Sequence, residues 1–187
     1  MRTRKVLIGI VVLVLVQASA IALYLVVKRS RAVEPAPFAV ETLQPRPAPE
    51  LAFERADGSR ATLQSMRGKV VMVHFWATWC PPCRDELPGL LALADELASN
   101  QPFELVAVSV DDDWEKMRRF FSGTVHRAAV RPERADVHRQ FGASTLPDTY
   151  LVDASGQIVQ RYTGVRDWHT QTARDHLTTS IAAARRN

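Results

Sequence analysis

Residues 69–76, KVVMVHFW, form an almost unbroken apolar run rich in valine. A short run of this kind reads as a strand buried on both faces, and such a strand needs a covering layer above and below it. The residues that follow at once, ATWCPPC, end the strand and open a helix. Pro81 and Pro82 suit a first helical turn, where a missing N–H costs little. Cys80 therefore falls where a buried strand gives way to a helix.

The rest of the pattern extends this unit. LAFERADGSRATL, from Leu51, suggests two short strands around an Asp57-Gly58 turn. The helix opened by the prolines runs towards Asn100, with Pro88 as an expected kink. FELVAVSV (103–110) is a second buried strand, and DDDWEKMRRFFSG a capped helix ending at Gly123. HRAAV is a short strand and ADVHRQFG a short helix. DTYLVDASGQIVQRY folds as a hairpin about Ser155-Gly156, and RDWHTQTARDHLTTSIAAA closes the chain as a helix. Alternating strands and helices demand parallel crossovers, and the hairpin adds antiparallel strands. The expected fold class is α/β, a mixed sheet with helices on both faces.

Before this domain the chain changes character. Val6–Val27 holds 22 residues without a charge, and at about 1.5 Å per residue it is long enough for a hydrocarbon core of roughly 30 Å. A transmembrane anchor is expected at 6–27, after a cytoplasmic stretch at 1–5. The rival is a cleaved signal peptide, with Val6–Val16 as its apolar region and Ala18–Ala20 as its cleavage box. The apolar run continues past that box to Val27, which favours the anchor. Residues 28–50 are expected to be a linker, since 31–50 holds five of the 11 prolines. Residues 51–187 make the globular domain.

Six of the 24 Lys and Arg lie before residue 32, where no acid stands, leaving 18 basic against 20 acidic residues in the rest. The net charge of +4 thus belongs to the flanks of the apolar run. No concentrated basic patch marks the folded part, which argues against nucleic acid as a partner.

Cys80 and Cys83 are the only cysteines. Zinc needs about two further ligands, and His169 and His176 do not form a recognisable second pair. A structural staple would close a very short loop, which constrains the unfolded chain least. A redox pair accounts for the placement better. Unpaired N–H groups and the helix dipole favour a Cys80 thiolate, the nucleophilic form, and Cys83 lies close enough to resolve a mixed disulfide.

FWATWCPPC (75–83) together with TLPDTYLVDASGQIVQRYTG (145–164) resembles the thioredoxin superfamily, and the apolar anchor with CPPCRDELP (80–88) resembles its membrane-tethered TlpA/ResA-like branch of thiol-disulfide oxidoreductases. The resemblance covers most of 51–187. It implies a thioredoxin-like fold, a Cys80–Cys83 redox disulfide, no cofactor and no metal. It also implies a cis-proline at Pro147, with the Leu146 backbone pairing to an extended client chain. Trp79, Pro81, Pro82, Leu146 and Pro147 are the expected client-binding residues. Trp76 and Trp79 are expected to pack around the motif, either as shielding or as plain core.

Glu86 lies three residues after Cys83, on the same helix face. Composition alone makes it a surface carboxylate; the resemblance implies an active-site acid that accepts the Cys83 proton. His74 departs from the family pattern, which has an acid or a small polar residue six positions before the first cysteine. A proton relay is one reading of it, and a histidine simply satisfied by hydrogen bonds is the preferred one. The acids Asp111–Asp113 read as helix capping rather than a cation site.

Pro81 and Pro82 remove two N–H groups that would otherwise stabilise the Cys80 thiolate, which predicts a reducing couple. The expected function is a tethered reductant on the extracytoplasmic side of a bacterial cytoplasmic membrane. It would be recharged by a membrane electron donor of the thiol-disulfide transducer type. Its clients would be exported proteins with paired cysteines, such as apocytochrome c or copper-site proteins by family analogy. Rival readings are a peroxidase, a copper carrier and a non-catalytic adaptor. Ala77, three before Cys80, is not the threonine a peroxidase motif would place there.

Overall fold

The computed structural model describes residues 13–24, 40–111 and 113–186. The chain divides into two units, 1–35 and 36–187. In the second unit an eight-stranded sheet runs in the order β1-β8-β7-β4-β5-β6-β2-β3. The strands are β1 (Glu41–Pro47), β2 (Ala52–Arg55), β3 (Arg60–Thr62), β4 (Val70–Trp76), β5 (Phe103–Ser109), β6 (Ala129–Pro132), β7 (Asp148–Val152) and β8 (Gln157–Thr163). The helices of this unit are α1 (Pro81–Ala98), α2 (Trp114–Phe120), α3 (Val137–Phe141) and α4 (Gln171–Ala184), with a 3-10 turn at Leu63–Met66.

β4 is central and every residue of it is buried. It pairs parallel to β5 and antiparallel to β7, so the sheet is mixed, as the order of elements implied. Alternation along β4 sorts its side chains between two cores. Met72 and Trp76 join the core built with Leu87 and Leu90 of α1, Met117 of α2 and Leu177 and Ile181 of α4. Val71, Val73 and Phe75 join the opposite core with Val137 and Phe141 of α3 and the 3-10 residues Leu63 and Met66. Helices thus cover both faces, and each fully buried aliphatic or aromatic side chain contributes about 1.5–3 kcal/mol. His74 falls on the α1 side of β4.

Part of the expected linker has structure. Glu41–Pro47 is a strand that pairs antiparallel with β8, with a register irregularity between Thr42 and Arg46. Proline is tolerated there because β1 is an edge strand, pairing on one side only among the described residues.

Of the expected anchor, residues 13–24 are helical with exposed apolar side chains. Residues 6–12 and 25–27 lie outside the described residues, as do 1–5 and the 28–39 part of the linker. Among the described residues no helix is long and apolar enough to cross a membrane.

Candidate active site

The two prolines begin α1, as their chemistry dictates, and the helix continues through Pro88 to Ala98. Cys80 is its N-cap, in extended conformation, and its Sγ accepts the N–H of Cys83 at 3.3 Å. Cys80 and Cys83 are joined as a disulfide. The two cysteines differ in access: Cys80 is 5% exposed and Cys83 is fully buried.

The loop that carries Cys80 is held from β5. Asp111 accepts the Thr78 N–H at 2.8 Å, the Thr78 hydroxyl at 2.7 Å and the Ser109 hydroxyl at 2.6 Å. Asp113, two residues on, caps α2 by accepting the Lys116 N–H. The acidic run therefore splits: Asp113 caps as expected, while Asp111 does not, and serves the cysteine loop instead. Asp112 lies outside the described residues.

The tryptophans also part company. Trp76 is fully buried and donates its indole N–H to the Ala107 carbonyl. Trp79 is 65% exposed and, with Cys80 and Pro81, lines an open groove of about 630 Å³. Leu146 and the α3 residues His138 and Arg139 also line it. The Leu146–Pro147 peptide is cis, and Pro147 is buried at the head of β7. Pro82 is exposed on the first turn of α1 and does not line the groove.

Asp148, next to Pro147, is fully buried and anchors this strand. It accepts Arg161 Nη2 at 2.7 Å, Arg161 Nε at 3.1 Å and the Tyr150 hydroxyl at 2.8 Å. Nothing in the linear pattern pointed to this arrangement.

Glu86 is a buried carboxylate, not a surface one; it is 5% exposed. Its Oε2 accepts the backbone N–H of Arg166 at 2.7 Å. Burial pushes its pKa up to about 8, against the opposing pull of the Arg166 N–H and charge and of Trp168. A carboxyl titrating near neutrality can both accept and return a proton. His74 is wholly buried, and burial pushes its pKa down to about 3, so the ring is neutral. Its Nδ1 lies 2.9 Å from the Thr149 hydroxyl, and its Nε2 faces Glu86 Oε1 at 3.7 Å. The structure brings Cys83, Glu86 and His74 to the same side of the sheet; Arg166 and Thr149, which hold Glu86 and His74, were not foreseen.

A family model described as Redoxin matches residues 44–177. The thioredoxin-like protein YneN of Bacillus subtilis is 30% identical over 118 residues, spanning 63% of this chain and 69% of its own. The thiol-disulfide oxidoreductase ResA of the same organism is 33% identical over 118 residues, spanning 63% of this chain and 65% of its own. A solved thiol:disulfide interchange protein of the thioredoxin family from Chlorobium tepidum superposes with a TM-score of 0.62 at 24% identity, covering 75% of this chain and 99% of that one.

Proposed function

This chain belongs to the Redoxin family, and from that premise we propose that it is a thiol-disulfide oxidoreductase that reduces disulfides of client proteins through a Cys80–Cys83 dithiol. The observation that carries the reading is the unequal access of the two cysteines: Cys80 lines the Trp79–Leu146 groove, while Cys83 is fully buried and does not. The name of the ResA relative agrees with this chemistry.

In the forward direction the Cys80 thiolate attacks one sulfur of a client disulfide. The client S–S bond breaks, a Cys80–client mixed disulfide forms, and the departing client thiolate takes a proton from solvent. Glu86 accepts the proton of Cys83, and the Cys83 thiolate attacks Cys80 Sγ. The mixed disulfide breaks, and the second client sulfur leaves as a thiolate and takes up the proton that Glu86 held. The client so departs as a dithiol, and the Cys80–Cys83 disulfide forms. Two electrons pass to the client. Return to the dithiol needs a further thiol donor, here a membrane protein of the thiol-disulfide transducer type.

The direction of flow follows from the helix start. Pro81 and Pro82 offer no N–H, which leaves the Cys83 N–H as the backbone donor to Cys80 Sγ among the described residues. A sparsely stabilised thiolate makes a more reducing couple. Reduced protein should cleave insulin disulfides, and its redox couple should equilibrate with thiol buffers well below the potential of a strong oxidant, about −120 mV. A potential near that value, or inert insulin, would overturn the reading.

The tether and its setting belong to the same proposal. The 22-residue uncharged run at 6–27 supports a single membrane anchor with the domain on the extracytoplasmic side. An anchored reductant meets both a membrane donor and exported clients. Cysteine pairs of the apocytochrome c or copper-site kind are the client classes expected of this branch. Membrane fractionation of the full chain, with protease access to the domain from outside, tests the placement.

A further inference from the structure

Two buried polar atoms face each other without a hydrogen bond of ordinary length: His74 Nε2 on β4 and Glu86 Oε1 on α1, 3.7 Å apart. Each is otherwise well held. His74 is pinned at Nδ1 by the Thr149 hydroxyl at 2.9 Å, and Glu86 at Oε2 by the Arg166 N–H at 2.7 Å. The register of the sheet sets this up, because Thr149 lies directly opposite His74 across the β4–β7 ladder. Orphaned buried polar atoms are uncommon, and two that point at one another call for a role.

We infer that His74 is a positioning residue for Glu86: its Nε2–H donates to Glu86 Oε1 and, with Thr149 holding the ring, sets the pH at which Glu86 takes the proton of Cys83. The inference rests on the role given to Glu86 under the proposed function.

The tautomer follows from what each protonation state needs. If Nδ1 carried the ring proton, Nε2 would present a lone pair to an ionised carboxylate, and like would face like. If Nε2 carries it, Oε1 can accept from it both as the carbonyl oxygen of the neutral acid and as part of the anion. The Thr149 hydroxyl, which can donate or accept, then donates to Nδ1 and so accommodates this tautomer. No proton relocates on the ring, and His74 stays neutral throughout. The bond to the anion is the stronger of the two, so it tightens when Glu86 ionises.

The groups that face Glu86 are few. Cys83 lies on its own helix, one turn back. His74 comes from β4. The segment after β8 supplies the Arg166 N–H, the Arg166 charge and Trp168. Trp168 also hydrogen-bonds the carboxyl, and His74 Nε2 lies 3.7 Å from Oε1.

The test uses the reduced full chain and the chromogenic disulfide 5,5′-dithiobis(2-nitrobenzoate). The first thionitrobenzoate released reports attack by Cys80, and the second reports resolution by Cys83. The rate of the second release is followed from pH 5 to pH 10. In the parent protein it should show an inflection that Glu86→Gln abolishes. In His74→Leu the inflection should move alkaline by about one pH unit, since the anion loses a donor. His74→Gln keeps an N–H and should stay near the parent. Thr149→Val, which is nearly isosteric, should shift in the same direction by less, and it carries the test if His74→Leu does not fold. An inflection that survives Glu86→Gln overturns the role of Glu86 and this inference with it. An inflection that Glu86→Gln removes, but that His74→Leu and Thr149→Val leave in place or move to acid pH, overturns this inference alone.

Discussion

Asp111 accepts two hydrogen bonds from Thr78, one from the backbone N–H at 2.8 Å and one from the hydroxyl at 2.7 Å. The end of β5 thereby fixes the loop that delivers Cys80, two residues beyond Thr78. Asp111→Ala would leave two Thr78 donors and the Ser109 hydroxyl without their acceptor. Hydrogen bonds to a charged group and the desolvation of stranded donors put the loss at about 2–3 kcal/mol. Urea unfolding should show that loss, and thiol exchange should slow alongside it. Asp111→Asn keeps one acceptor oxygen and should fall about halfway between.

Stability should depend on pH in a way that names both buried groups. Glu86 has its pKa raised from 4.5 to about 8, so it contributes a penalty that grows as pH rises through that window, where the unfolded chain ionises and the folded one does not. His74 has its pKa lowered from 6.5 to about 3, so its contribution is full above 6.5 and is lost as pH falls towards 3. Between 4.5 and 6.5 the two slopes cancel, because each state then holds one proton on the pair. The oxidised domain should show a plateau there, with limbs of roughly 1.4 kcal/mol per pH unit on either side. In Glu86→Gln the alkaline limb should vanish; in His74→Leu the acid limb should. Denaturant titrations at half-unit pH steps measure both.

Trp79 is an exposed aromatic on the groove beside Cys80. An indole in that position offers client side chains an apolar surface that the fold itself does not use. Trp79→Ala should raise KM for a protein disulfide by about fivefold, equivalent to about 1 kcal/mol of binding, and leave Tm and the small-molecule exchange rate unchanged. Steady-state reduction of insulin alongside thermal melts separates these effects.

Arg161 covers the fully buried Asp148 with two hydrogen bonds, at 2.7 and 3.1 Å, and burial of the acid makes the pair costly to break. Arg161→Ala strands a charge beside Pro147 and should destabilise the domain by about 3–5 kcal/mol. Calorimetry of the purified variant checks it, and an unchanged Tm would show that Asp148 is satisfied by other means.

The elements of the domain were legible because their signals are local. The valine run of β4, the paired prolines of α1 and the Ser155-Gly156 turn each dictate a conformation within a few residues. β1 was hidden because Pro45 and Pro47 read as a tether; only the free edge beside β8 makes a strand with prolines workable. The cysteines were plain from their spacing, and Glu86 from the family resemblance, since its position alone suits a surface carboxylate. What spacing could not supply is the set of partners that hold these groups: Asp111 for Thr78, Arg166 for Glu86 and Thr149 for His74. Each of those contacts joins residues at least 33 positions apart. The expectation of a His74 satisfied by hydrogen bonds holds at Nδ1, while Nε2 has only the 3.7 Å approach to Glu86 Oε1. The one local clue for Thr149 is that it follows the Leu146-Pro147 loop by two residues on a buried strand.

The division of labour between the two cysteines is tested most directly by trapping. Full-length Cys83→Ala and Cys80→Ala variants are reduced, mixed with a disulfide-bonded client such as insulin, quenched with acid and resolved without reductant. Cys83→Ala should accumulate a covalent adduct joined through Cys80, and Cys80→Ala should accumulate essentially none, because Cys83 is buried. Equal adducts in both variants, or adducts through Cys83 alone, would contradict the assignment of Cys80 as the attacking thiol.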